Sequence, residues 1–256
     1  MKRRKILTDL GFTLGGLLGQ TCFSDAVMAL PRSRRWGYIG DFSPEHWYEV
    51  SPTYQACLMG QRQSPVDIVN GAFEGNPHDL VFRYGPVNLE VFDAGYTLQA
   101  NVAAGLYLEL EGDRYDLKQF HFHTPGEHQI LGQPTAMEIH LVHQNRQGKF
   151  VVVALLINEN ENLDVWGATD FENDIRPVWE FFELNPPAQL TPSIHLAKLL
   201  PRDRRFFRYT GSLTTPPCSE TVEWIIFQKP RLLRTQRINQ YKALFPNNAR
   251  PIQRQL

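Results

Sequence analysis

The run Val151-Val152-Val153-Ala154-Leu155-Leu156-Ile157 is apolar at seven successive positions and rich in β-branched residues. Successive side chains of a strand point to opposite faces, so a strand apolar at every position is buried on both sides. The stretch therefore predicts a central, fully covered strand of a large sheet. Outward from it, Glu138-Ile139-His140-Leu141-Val142 precedes and residues 221–227 follow, both with strand-like patterns. Residues 88–92, 97–102 and 106–110 alternate in the same way, and turn residues separate them at Asp93-Ala94-Gly95, Glu111-Gly112-Asp113 and Arg146-Gln147-Gly148. Helical periodicity is sparse, with candidates at residues 174–182 and 235–245. No repeat, low-complexity tract or linker interrupts the chain after residue 30. The expectation is one β-dominated domain.

The 256 residues supply enough surface to bury a sizeable core. Lys and Arg number 26 against 27 Asp and Glu, with no basic block longer than two arginines, which argues against a nucleic-acid partner and reads the arginines as solvated surface. The N-terminus differs in character. Met1-Lys2-Arg3-Arg4-Lys5 is followed by an apolar, glycine- and leucine-rich run from Gly11 to Leu18 and by a small residue at Ala29. This order predicts a secretory signal over residues 1–29, removed after Ala29, with Arg3-Arg4 resembling a twin-arginine export signal. A mature domain of residues 30–256 is expected outside the cytoplasm, periplasmic or extracellular, with no stable membrane anchor. Removing residues 1–29 leaves 22 basic and 25 acidic side chains and a formal charge of −3. It also leaves two cysteines, Cys57 and Cys218, which in an exported protein suggest one disulfide.

In Gln119-Phe120-His121-Phe122-His123 the period of two places both histidines on one strand face and both phenylalanines on the other. Two adjacent imidazoles are half of a metal site, although an isolated His-x-His pair is more often a pair of surface or core histidines. A third ligand is offered by Glu138-Ile139-His140-Leu141-Val142-His143. Here His140 shares a face with Glu138 and Val142, and His143 lies on the opposite face. Spacing alone leaves both histidines as candidates. Three neutral imidazoles with an open fourth position would suit a catalytic zinc ion, because neutral ligands leave its full charge to act on a bound water.

These blocks, with Gly126-Glu127-His128 and Ser212-Leu213-Thr214-Thr215-Pro216-Pro217-Cys218, resemble the α-class carbonic anhydrases in order and spacing. Trp36-Gly37-Tyr38, Pro44-Glu45-His46-Trp47, Gln63-Ser64-Pro65-Val66-Asp67-Ile68 and Asn248-Ala249-Arg250-Pro251 extend the resemblance across residues 36–253, and the exported bacterial branch fits best. The resemblance implies a single, mostly β domain with a large twisted, mostly antiparallel central sheet and short surface helices. It implies His121, His123 and His140 as zinc ligands, supported by Gln119, Glu138 and the carbonyl of Asn248. It also implies reversible hydration of carbon dioxide to bicarbonate and a proton by a zinc-bound hydroxide. Thr214 and Glu127 would orient that hydroxide, Thr215 and Thr214 would contact bicarbonate, and Val142, Val152, Leu213 and Trp224 would form the carbon dioxide pocket. A Cys57–Cys218 disulfide is implied as well.

One position departs from the resemblance. The family usually carries a proton-relaying histidine where Asp93-Ala94-Gly95-Tyr96-Thr97 places Tyr96. Free tyrosine titrates near pH 10 and imidazole near 6.5, so a tyrosine is poorly matched to move protons at neutral pH. The expectation is slower turnover limited by proton transfer, with Tyr96 at the altered position. A zinc-retaining binding module with little hydration activity is the alternative.

Overall fold

A computed structural model describes residues 36–69, 74–161, 170–184 and 188–254; the signal expected over residues 1–29 lies outside them. Fourteen strands follow in chain order among the described residues. They are β1 (Asp67–Ile68), β2 (Leu80–Arg83), β3 (Pro86–Asp93), β4 (Leu98–Val102), β5 (Tyr107–Leu110), β6 (Asp113–His123) and β7 (Gln129–Ile130). The remainder are β8 (Gln133–Pro134), β9 (Met137–Gln144), β10 (Phe150–Glu159), β11 (Ser193–His195), β12 (Phe206–Gly211), β13 (Val222–Phe227) and β14 (Arg231–Leu233). Eleven form one sheet with a spine in the order β11-β3-β4-β6-β9-β10-β13-β12, and β1, β7 and β8 make a small sheet apart from it.

The apolar run at residues 151–157 is buried throughout and forms the body of β10. Its alternation divides the core in two. Val151, Val153, Leu155 and Ile157 join one apolar cluster, and Val152, Ala154 and Leu156 join another on the opposite face. The first cluster is covered by the helix Asp170–Glu183, through Phe171, Ile175, Val178, Trp179 and Phe181, and by Ile238 and Tyr241 of the helix Thr235–Leu244. Each such side chain contributes about 1.5–3 kcal/mol by leaving water. Trp179 donates its indole N–H to the carbonyl of Arg237 at 3.1 Å, which ties the two helices together.

The sheet is mixed. β10 runs antiparallel to β9 but parallel to β13 and β14, a pairing that local alternation does not reveal. Between Leu117 and Gln119 the β6–β9 pairing slips by one residue, a β-bulge that re-aims the end of β6. Beyond it His121 lies directly across from His140, while Val142, Val152 and Trp224 line up across β9, β10 and β13. The disulfide Cys57–Cys218 spans 161 residues of sequence with its Cα atoms 5.0 Å apart. Closing a loop of that length stabilises a fold by roughly 2–5 kcal/mol.

Candidate metal centre

His121 and His123 leave the same face of β6, and His140 meets them from β9. One ring nitrogen of each lies within 4.8 Å of the other two. The phenylalanines between them point the other way into the large core, so the histidine positions follow from the strand period and the bulge. His143, one step out of phase with His140, is buried on the opposite side. Its Nδ1–H donates to the Val151 carbonyl at 3.1 Å, and its Nε2 accepts from the Tyr84 hydroxyl at 2.5 Å. The structure therefore brings His140 to the cluster and removes His143 from it.

Each clustered ring has one nitrogen already engaged. His121 Nδ1–H donates to Gln119 Oε1 at 2.9 Å, His123 Nδ1–H to the Asn248 carbonyl at 2.7 Å, and His140 Nε2–H to Glu138 Oε1 at 2.8 Å. The nitrogens left over are Nε2 of His121, Nε2 of His123 and Nδ1 of His140. Hydrogen bonds of this kind select the tautomer and fix the ring plane. Burial, with the neighbouring imidazoles, holds His121 well below the usual histidine range, and burial brings His123 down to about 4. Burial lowers His140 as well, against the pull of Glu138. All three are thus neutral at physiological pH, the form a metal requires.

His123 Nε2 is fully buried and has no hydrogen-bond partner. An orphaned buried nitrogen costs about 1–3 kcal/mol, and here it faces two other free ring nitrogens. The three-imidazole set, with only neutral donors and a partly exposed ring at His121, fits a zinc ion with a position open to solvent.

A second layer of polar groups surrounds the rings. Glu138 accepts from His140 and from both the ring and the backbone N–H of His128, at 2.6 and 2.8 Å. Burial pushes its carboxyl up, but the adjacent His128 and His140 outweigh this and hold it well below the usual range. His128 continues to the Tyr209 hydroxyl at 2.8 Å, which donates to Ser64 Oγ at 2.8 Å. Asn248 joins three segments. Its amide donates to the carbonyls of Tyr96 and Phe122, and its side-chain oxygen accepts from the backbone N–H of Thr124.

Glu127 and Thr214 are both buried beside this centre. Glu127 Oε1 accepts from the backbone N–H of Arg250 at 2.8 Å and lies 3.5 Å from His123 Nδ1. Burial raises its carboxyl to about 7, opposed by His140, by the Arg250 N–H and by the Thr214 hydroxyl. Its other oxygen makes no hydrogen bond of ordinary geometry. Val142, Val152 and Trp224 form an apolar wall, with Leu213 packed against it, and the Trp224 ring centroid is 4.8 Å from that of His140. Thr215 is half-buried, and its carbonyl accepts from the N–H of Cys218. Tyr96 packs its ring against Trp36, centroids 4.9 Å apart, and reaches the centre through its backbone bond to Asn248. Sequence reasoning missed the roles of His128, Tyr209, Ser64 and Arg250. The reading of arginines as solvated surface fails at Arg250, which is 3% exposed.

A large mixed sheet carrying three neutral, pre-oriented imidazoles beside an apolar wall defines the scaffold of a metalloenzyme. The sequence matches the eukaryotic-type carbonic anhydrases over residues 42–256. It is 35% identical to a carbonic anhydrase of Nostoc sp. over 98% of this chain and 94% of that protein, and 35% identical to one of Klebsiella pneumoniae over 85% and 87%. The solved α-carbonic anhydrase of Thermovibrio ammonificans superposes with a TM-score of 0.77 at 33% identity, covering 86% of this chain and 95% of that one. That of Photobacterium profundum gives 0.74 at 32%, covering 86% and 96%. The chain belongs to the α-carbonic anhydrase family and is a carbonic anhydrase enzyme.

Proposed function

We propose that the protein is an exported zinc enzyme that hydrates carbon dioxide reversibly, with His121 Nε2, His123 Nε2 and His140 Nδ1 as the metal ligands. The observation that carries this reading is the orphaned, buried Nε2 of His123 facing two rings whose other nitrogens are already hydrogen-bonded. Bound there, zinc supplies a Lewis acid that makes water acidic near neutral pH.

The chain's own residues do the rest. Gln119, Glu138 and the Asn248 carbonyl keep the ligand rings in the required tautomers. Thr214 Oγ accepts the hydrogen of the attacking oxygen and donates its own proton toward Glu127, since an ionised carboxylate accepts only. A divalent cation among the adjacent rings favours that ionised form of Glu127. The attacking lone pair is thereby aimed at the substrate. Carbon dioxide has no charge to grip, so Val142, Val152, Leu213 and Trp224 hold it by apolar contact, and Thr215 with the Thr214 N–H contacts bicarbonate. Turnover also requires a proton to leave. With Tyr96 and no histidine at the relay position, that step slows turnover. Residues 1–29 act as the export signal, residues 30–256 form the enzyme, and the Cys57–Cys218 disulfide accords with an oxidising compartment.

Zinc content and stopped-flow carbon dioxide hydration on the purified protein, with and without imidazole buffer, test this. One zinc per chain and a hydration rate raised by imidazole are expected. One zinc per chain with no hydration would replace the enzyme by a zinc-retaining binding module.

A further inference from the structure

Arg250 is a buried cation without a carboxylate partner within 4 Å among the described residues. Its guanidinium is held by neutral groups, with the Trp47 ring centroid 5.7 Å from its central carbon and three hydrogen-bond acceptors. Nη1 donates to Gln63 Oε1 at 2.9 Å and to the Ser64 carbonyl at 2.8 Å, and Nη2 donates to the Cys57 carbonyl at 2.9 Å. Gln63 in turn donates from Nε2 to the Cys218 carbonyl at 3.1 Å. One guanidinium and one amide thus grip the backbones of both disulfide cysteines. At its other end, the backbone N–H of Arg250 donates 2.8 Å to Glu127 Oε1.

Burying a charge against neutral acceptors costs several kcal/mol, and a conventional core side chain would avoid it. The arrangement does what an apolar residue could not. It connects a covalent cross-link to a fully buried carboxylate through directional bonds. Cys218 also ends the segment that begins at Thr214, and its N–H donates 2.9 Å to the Thr215 carbonyl. The disulfide therefore borders both members of the Thr214–Glu127 pair, from one side through the chain and from the other through Arg250.

We propose that Arg250 is a positioning residue that couples the Cys57–Cys218 disulfide to Glu127, so that opening the disulfide lowers turnover through Arg250. This rests on the reading of Glu127 and Thr214 given above. Cys57 is half-buried and Cys218 fully buried, so a small reductant would approach the bond from the Cys57 side. A dithiol transfers two electrons and two protons, becoming a cyclic disulfide, while the S–S bond breaks and two thiols form. The Cys57 segment is then released from Cys218, and of the three acceptors of the guanidinium the Cys57 carbonyl is no longer held in place. Glu127 Oε1 keeps its N–H donor, but that donor is no longer held in place.

The test uses zinc-loaded wild type, Arg250→Gln, Arg250→Lys and Glu127→Gln, each before and after dithiol treatment. It reads kcat and KM, zinc content, the thermal midpoint and the side-chain carboxyl 13C resonance of Glu127. Opening the disulfide in wild type is expected to lower kcat/KM about 5-fold or more, with zinc retained and the Glu127 resonance moved. Arg250→Gln should show the same loss while oxidised and no further loss on treatment, and Arg250→Lys should recover part of it. Effects of treatment and Arg250→Gln that multiply, or an unmoved Glu127 resonance, overturn the coupling. If reduced wild type unfolds at the assay temperature, the oxidised variants decide, and unchanged kcat/KM in Arg250→Gln overturns it. Unchanged kcat/KM in Glu127→Gln would instead overturn the underlying functional reading.

Discussion

Glu138 Oε1 lies 2.8 Å from His140 Nε2, so the nitrogen that His140 can offer a metal is Nδ1, whereas His121 and His123 offer Nε2. The same carboxylate takes two bonds from His128, and it is fully buried. Glu138→Gln keeps the shape but removes the charge and replaces one acceptor by a donor. Zinc affinity, measured by competition with a chromophoric chelator, should fall about 10–100-fold. An unchanged affinity would mean that the ring is held by packing alone.

Val142 stands opposite Val152, beside Trp224, at the edge of the metal cluster. Val142→Phe fills the apolar wall without touching a ligand ring. It should lower kcat/KM on the order of 10²-fold with zinc affinity within a factor of two or three of wild type. Loss of zinc along with activity would show the residue to be structural.

Tyr96→His restores a group that titrates near neutral pH at the relay position. The expected result is a kcat raised about 10-fold or more, with kcat/KM little changed and with less response to added imidazole. An equal rise in wild type and variant on adding imidazole would count against proton transfer as the slow step.

His143 gives a pH prediction of defined sign. Burial pushes its ring down to about 3, while in the unfolded chain an imidazole titrates near 6.5. Between these values the unfolded chain binds a proton that the folded one refuses, so stability present above pH 6.5 is lost as pH falls toward 3. Each pH unit in that window removes about 1.4 kcal/mol through this one group. His143→Gln preserves a donor for Val151 and an acceptor for Tyr84 but does not titrate. Urea unfolding from pH 7 to pH 4.5 should show a flatter slope in the variant, and parallel slopes would exclude His143 as a source.

Much of this could be read from the chain. The period of two placed Phe120 and Phe122 in the core and His121 with His123 on the other face, because local sterics fix that alternation. The doubly apolar run gave the central strand for the same reason. The choice between His140 and His143 is different in kind, since only the pairing of β6 with β9 brings one of them beside His121 and His123. The helix Asp170–Glu183 spans Pro177 as expected over residues 174–182, and reaches back to Asp170, where Phe171 packs into the core together with Trp179. β12 carries Arg208, whose ion pairs with Glu223 on β13 and Glu111 in the turn after β5 form only in the folded chain, so its local pattern does not predict a strand. Arg250 bonds to groups 186 to 193 residues away, and no window of sequence contains them.

The carbonyl that selects the His123 tautomer belongs to Asn248, 125 residues further along the chain. A ribosome must therefore deliver most of the protein before that ring is told which nitrogen to present. Of the three clustered rings, His121 and His140 find their partners within two residues, while His123 waits. The last hydrogen-bond partner of the three-ring cluster is therefore synthesised after every described strand of the sheet that carries the rings.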